Sequence, residues 1–349
     1  MSLRGAKEWT VILLTLVVGF ALRFHQLGSA PHGIYHDEAY YGLDAASVLE
    51  GARPIFFTAN NGREPLYIYV LSLSLAAFGR TPFGLRLASA MIGPLTIPVT
   101  FLLGRALFNR RVGLLAMAIC AVTFWPVALS RVSFRAGALP LFLGLAIALG
   151  WLGLKRRNVL LAILGGIAYG LAFNTYTAAR VTPLAFALTA AIVVWRYLPR
   201  RHEDTKNENF APSRLRGFPS RELLAFLIST VLVLAPLGVY ALAHPAQVFA
   251  REGQVSIFET ENGNPFTALV KHAALAVGMF GWQGDMIPRH NLPGRPVFDL
   301  WTFAFFIAGL ALAAIRSRRS LPSAFLIIWT AVMLAPTVLA EDTPHFLRA

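Results

Sequence analysis

Charge is scarce in this sequence of 349 residues, and acidic charge is the scarcest: 17 Asp and Glu stand against 31 Lys and Arg, and charged residues make up 14% of the chain. A soluble domain carries closer to roughly a quarter charged residues, so the deficit excludes an ordinary soluble fold. Cysteine is nearly absent. The single Cys120 lies inside an apolar run, which excludes an intramolecular disulfide and a thiolate metal cluster and leaves the compartment open. There is no internal repeat and no low-complexity tract. What fills the chain is apolar: 56% of residues are hydrophobic and the mean hydropathy is +0.59. The apolar residues fall in runs close to the length a helix needs to cross a hydrocarbon layer of ~30 Å. The sequence therefore predicts an all-α polytopic membrane protein.

The net charge of +14 raises the question of nucleic acid as a partner. The basic residues sit between apolar runs, where they encode membrane topology, and nucleic acid is excluded on that ground. Spans are expected near 9–24, 85–104, 113–129, 138–154, 159–177, 181–198, 223–243, 300–315 and 321–340. The first run is followed by Arg23, His25 and Gln26 without a small-x-small cleavage site, so it reads as a retained span. The intervals alternate in character. Arg4, Lys7, Arg105, Arg110, Arg111, Lys155, Arg156, Arg157, the 196–221 stretch and Arg316, Arg318 and Arg319 form one set. The other set holds most of the acids: Asp37, Glu38, Asp44, Glu50, Glu64, Glu252, Glu259, Glu261, Asp285, Asp299, Glu341 and Asp342. The positive-inside rule makes the first set cytoplasmic, with the N-terminus; the expected location is the plasma (inner) membrane.

That parity decides the reading of 65–79 (PLYIYVLSLSLAAFG). It is apolar, but a helix of that length reaches only ~22 Å. Counting it as a span would also move Lys155–Arg157 outside. It is therefore expected as a helix at the outer interface. Two outer segments are long, 25–84 and 244–299, and loops of such length are usually functional. Within them 37–51 and 266–282 read as helices. The polar stretch 199–221 reads as a cytoplasmic linker.

The first outer segment carries HDEAYYGLDAASVLEG, which sets adjacent carboxylates, Asp37 and Glu38, just beyond the first span, with His36, Tyr40 and Tyr41 beside them. An acidic pair also starts a helix well, so a capping role stands beside a chemical one. Arg63, Glu64, Pro65 and Tyr67 precede the interfacial helix. Arg131 and Arg135 occupy the short SRVSFRAG loop, Arg180 ends NTYTAAR, and His345 and Arg348 lie in the final EDTPHFLRA. These arginines break the positive-inside bias. An anionic phosphate at the outer face accounts for them, because a guanidinium fork binds phosphate bidentately.

In this order and at these spacings the segments HDEAYY, REPLY, LRLASAMIGPLTIPVTFLLGRALF, SRVSFRAGALPLF and NTYTAAR resemble the GT-C superfamily of membrane glycosyltransferases. The likeness is greatest to its protein O-mannosyltransferase, aminoarabinose transferase and RgtA/B/C/D-like group, and runs from the first span to the last residue. The resemblance implies a GT-C-like bundle over 1–349, with outer juxtamembrane helices. It implies a polyprenyl-phosphate sugar as donor and a lipid, glycan or protein hydroxyl as acceptor. Transfer would occur at the outer face with inversion. The family's catalytic aspartate matches Asp37, with Glu38 its neighbour, and its basic residue before a proline matches Arg63. Arg63, Arg131, Arg135, Arg180 and Arg348 are candidates for the donor phosphate, and His36, Tyr40, Tyr41, Glu64, Tyr67 and His345 for substrate contacts. Most relatives continue beyond the position of Arg348–Ala349, which makes the chain a candidate for C-terminal truncation.

Several relatives place an acid in the loop after the third span, where it can join a metal site; SRVSFRAG has none. A divalent-metal requirement is thereby put in question, no cofactor is assigned, and Arg131 or Arg135 is expected to supply the charge. A transporter and a non-catalytic lipid-phosphate-binding protein are the rival classes. A transporter predicts charges within spans or symmetric broken helices.

Overall fold

The computed structural model describes residues 3–59, 62–197, 220–249, 265–288, 291–340 and 343–346. Within them the backbone is helical apart from connecting segments and one isolated antiparallel bridge between Phe57 and Arg63. In chain order the helices are α1 (Leu3–Phe24), α2 (His36–Leu49), α3 (Leu66–Phe78), α4 (Pro82–Leu107), α5 (Arg110–Val122), α6 (Phe124–Ser130) and α7 (Leu139–Arg156). They continue with α8 (Val159–Phe173), α9 (Thr182–Tyr197), α10 (Ser220–Ala243), α11 (Pro245–Val248), α12 (Pro265–Gly278), α13 (Leu300–Arg316) and α14 (Leu321–Val338). Single-turn 3-10 segments at Arg135–Ala138 and Thr177–Val181 lead into α7 and α9.

Length and composition let five of these elements cross a membrane: α4, α7 and α9 with their 3-10 turns, α10 and α14. The protein is an integral membrane protein. The expected span at 113–129 is two helices, α5 and α6, bent by 58° at Thr123. Pro126 explains the break, since it has no N–H for the carbonyl one turn earlier and its ring crowds that turn. The spans expected at 159–177 and 300–315 are helices of 15 and 17 residues, below the ~20 residues of a full crossing. In the first case Asn174 ends the helix, accepting its last turn's geometry with a side-chain N–H to the Gly170 carbonyl.

Helix α3 has 13 residues, shorter than a full crossing needs. The backbone N–H of Leu66 at its start donates to Asn174, and Arg80 just past its end pairs with Glu50 at the end of α2. The helix expected at 37–51 is α2, whose chain turns away at Gly51 with φ +106°, a value glycine adopts without strain. That expected at 266–282 is α12, which packs on α14. The 199–221 linker lies almost wholly outside the described residues.

Close helix contact is built on small residues. A Cβ on Gly166 of α8 would lie 2.2 Å from the Phe226 carbonyl of α10, so only glycine permits that approach. The segments 25–59, 62–66, 130–138, 174–181 and 244–249 gather at one end through the Glu38–Ser133, Leu66–Asn174, Arg180–Val248 and Phe56–Tyr240 contacts. Tyr41, Phe57, Tyr67, Ile68, Leu71, Leu85, Leu129 and Phe134 form an apolar core directly beneath them.

Candidate active site

Helix α2 begins at His36, so both carboxylates lie in its first turn, where the helix dipole favours them. The helix turns them to different surroundings. Glu38 is 2% exposed. One of its oxygens accepts the Tyr35 backbone N–H at 3.1 Å and closes a capping box. The other accepts the Ser133 backbone N–H at 2.8 Å and faces Arg86 Nε at 3.4 Å. Asp37 keeps a partly open face, its side chain 14% exposed, with the His36 ring 3.4 Å away. The capping role thus falls to Glu38, and of the adjacent pair Asp37 is the less buried.

Tyr41 lies between the charges of the site. Burial raises the pKa of its hydroxyl; the Arg135 charge opposes that, the Asp37 charge adds to it, and Arg63 opposes it more weakly. One side chain therefore feels both the open carboxylate and the arginines. Arg63 sits over the rings of Tyr40 and Tyr41, 5.4 and 5.2 Å from their centroids, and pairs with Asp44. Gly62, with φ +79°, lets the chain make the tight turn that returns Arg63 to Phe57. At 1% exposure, Arg63 works as a clasp between this loop and α2.

Glu64 is the junction of two arginines. One oxygen accepts Arg135 and the other accepts Arg180 Nη2 at 3.1 Å. Arg135 also lies over the Tyr176 ring, and Arg180 lies over Phe249 and donates to the Val248 carbonyl. One carboxylate is thus shared by two guanidiniums. Of the pair, Arg180 is the more open, with 22% of its side chain exposed.

The remaining predicted residues lie elsewhere. Arg131 donates to the carbonyls of Leu22 and Ala30, at 2.9 and 3.0 Å, and so caps the end of α1. The Tyr67 hydroxyl is held between Ser89 and Ser133 at 2.7 and 2.8 Å. His345 is buried in the C-terminal segment, its N–H on Thr337, next to Phe346, which packs on Trp125 and donates to Asp285. Arg348 lies outside the described residues. Asp44, Arg86, Ser133 and Tyr176 were not singled out by the sequence reading. Arg86 had a usable signal, a cation inside an apolar run, which costs too much to be kept without a partner.

A cavity of about 390 Å³ lies between α4, α5–α6, α7 and α14, its wall including Thr96, Cys120, Trp125, Ser130, Leu143 and Tyr176. Its lining is mainly apolar and includes Ala136 and Gly137, which directly follow Arg135. Among the described residues no three His, Cys, Asp or Glu side chains are grouped to hold a metal ion. Glu38, Asp44 and Glu64 are each occupied by an arginine. The donor set does not fit a metal site.

Residues 62–203 match the family model of dolichyl-phosphate-mannose-protein mannosyltransferases. An undecaprenyl phosphate-α-4-amino-4-deoxy-L-arabinose arabinosyl transferase of Pseudomonas fluorescens is 29% identical over 174 residues, covering 48% of this chain and 31% of its own. An uncharacterized protein of Aquifex aeolicus is 26% identical over 91% of this chain and 56% of its own. The chain thus spans from a third to about half of the length of these relatives. Among solved structures, ArnT of Cupriavidus metallidurans bound to undecaprenyl phosphate superposes with a TM-score of 0.59 at 16% identity, over 98% of this chain and 57% of that one. AglB of Archaeoglobus fulgidus, in complex with an inhibitory peptide and a dolichol-phosphate, gives 0.58 at 17% identity, over 100% of this chain and 49% of that one. These likenesses show that the chain shares the fold of the ArnT and AglB structures.

Proposed function

We propose that the protein transfers a sugar from a polyprenyl-phosphate donor to a hydroxyl acceptor at the outer face of the membrane, with its N-terminus in the cytoplasm. The observation that carries this reading is the Arg135–Glu64–Arg180 junction, two guanidiniums on one carboxylate, beside the Ala136, Gly137 and Tyr176 part of an apolar cavity's lining. A prenyl chain fits the cavity by its apolar character, and its phosphate then meets the two arginines. The names of the relatives and the prenyl phosphates in two of the solved structures agree with that donor class.

In this mechanism the acceptor hydroxyl approaches the anomeric carbon from the side of Asp37. The carboxylate takes the hydroxyl proton as the oxygen attacks. The bond from the anomeric carbon to the phosphate oxygen breaks, with inversion, and the electron pair leaves on the phosphate. Arg135 and Arg180 offset the charge that develops there, and fixed cations in a water-poor site do this at low reorganisation cost. Asp37 then gives its proton to solvent. The products are a glycosylated acceptor and a polyprenyl phosphate. Arg63, Arg86 and Glu38 hold the two sides of the site together and make no contact with substrate.

The test is release of polyprenyl phosphate from a polyprenyl-phosphate sugar by the purified protein. Release that depends on Asp37 supports transfer. Binding without release identifies a lipid-phosphate-binding protein instead.

A further inference from the structure

The structure holds a second arginine pair outside the site. Arg23, in α1, is 0% exposed. Its partners are neutral: Nη1 donates to the carbonyls of Ala121 and Gly19 at 2.9 and 3.0 Å, Nη2 to Cys120 at 3.2 Å, and Nε meets Ser130 Oγ at 3.3 Å. In an unbroken helix the carbonyls of Cys120 and Ala121 would take the N–H groups four residues on. The 58° bend at Thr123 removes those donors. In an apolar surrounding each carbonyl left without a donor costs several kcal/mol in order of magnitude. Arg23 supplies the missing donors. The contact is reciprocal, since Arg131, just past α6, donates to the Leu22 and Ala30 carbonyls at the end of α1.

The bend is also a wall of the cavity: Cys120, Trp125, Pro126, Leu129 and Ser130 all line it. Helix α4, which also lines the cavity, is in close contact with this wall, and a Cβ on Gly93 would lie 2.0 Å from Ser130 Oγ. A helix pair that loses its brace satisfies its own carbonyls by straightening, which moves this wall. We infer that Arg23 and Arg131 are positioning residues that hold the α5–α6 bend open and thereby set the length of prenyl chain the cavity accepts. This rests on the proposed assignment of the cavity to the donor lipid.

The experiment compares binding of undecaprenyl phosphate and geranyl phosphate to the full purified chain and to its Arg23→Met, Arg23→Lys and Arg131→Gln variants. The phosphate is the same in both probes, and only the chain differs. Loss of the brace is expected to weaken undecaprenyl phosphate about tenfold or more and geranyl phosphate by less than about threefold, with Arg23→Lys in between. Equal losses for both probes, or none, overturn the inference. If Arg23→Met does not fold, Arg131→Gln, whose side chain is only half-buried, decides alone: unchanged chain-length preference overturns it. A parent that binds neither probe overturns the donor reading and the inference together. A parent that prefers the long chain, with variants that keep that preference, overturns the inference alone.

Discussion

The Glu38 carboxylate accepts the backbone N–H of Ser133 at 2.8 Å, two residues before Arg135. This one contact fixes the start of α2, and with it Asp37, relative to the loop that carries Arg135, the arginine proposed for the donor phosphate. Neighbouring carboxylates in sequence therefore differ: Glu38 is tied into the fold, and Asp37 is the one proposed to face substrate.

Glu38→Ala is expected to destabilise the protein by ~3–5 kcal/mol, because it leaves the buried Arg86 without its carboxylate. Arg86→Met is expected to act similarly, and the double variant to lose less than the sum of the two. Thermal unfolding in detergent measures all three. Additive losses would mean that the two residues do not depend on each other.

Arg135→Ala and Arg180→Ala should each weaken polyprenyl-phosphate binding by ~1.5–3 kcal/mol, the range for a hydrogen bond to a charged group. Glu64→Gln should do the opposite. It removes the carboxylate that both arginines share, so the free protein loses stability and the bound phosphate gains. Calorimetric binding with the three variants checks the assignment. Unchanged affinity in both alanine variants would remove the phosphate from this junction. Arg63→Ala should act chiefly by freeing Asp44 and loosening the 57–63 loop, and less on the phosphate itself.

Cys120, the single cysteine of the chain, lines the cavity. Undecaprenyl phosphate is expected to slow alkylation of Cys120 by a neutral maleimide at least about fivefold, since an occupied cavity excludes the reagent. Mass spectrometry of the labelled protein reads this directly. An unchanged rate would place the lipid elsewhere.

Topology is tested with single cysteines in a Cys120→Ser background. Ser133 is unsuitable because it is fully buried. Ala52 and Asn158 are exposed and lie on opposite sides of the expected membrane. An impermeant thiol reagent added outside should label Ala52→Cys and spare Asn158→Cys. The reverse pattern would invert the protein.

The fold class was legible in the sequence because apolar runs and basic intervals report bilayer crossing directly. So was the short helix α3, found where the apolar 65–79 segment was expected to form one. The bend at Thr123 was not: Pro126 marked a weak point, but its brace, Arg23, lies roughly a hundred residues away in sequence. For the proposed site, residue types named Asp37, Arg135 and Arg180 as candidates. They did not separate Arg131 from Arg135, which share one loop, because the difference is whether the guanidinium meets the α1 carbonyls or the Glu64 carboxylate. Glu64 was read as a substrate contact and is a partner of arginines. Asp44 and Arg86 escaped notice because each acts only through a distant residue.

The most direct measurement is transfer by Asp37→Asn. Asparagine keeps the shape of the side chain and caps a helix as well as aspartate, but it cannot take a proton. The account predicts normal membrane insertion, nearly unchanged binding of polyprenyl phosphate, and release of polyprenyl phosphate from the donor sugar reduced at least ~100-fold, the lower end for a lost general base. Release within a few-fold of the parent would contradict it, and Asp37 would then be no more than a residue at the start of a helix.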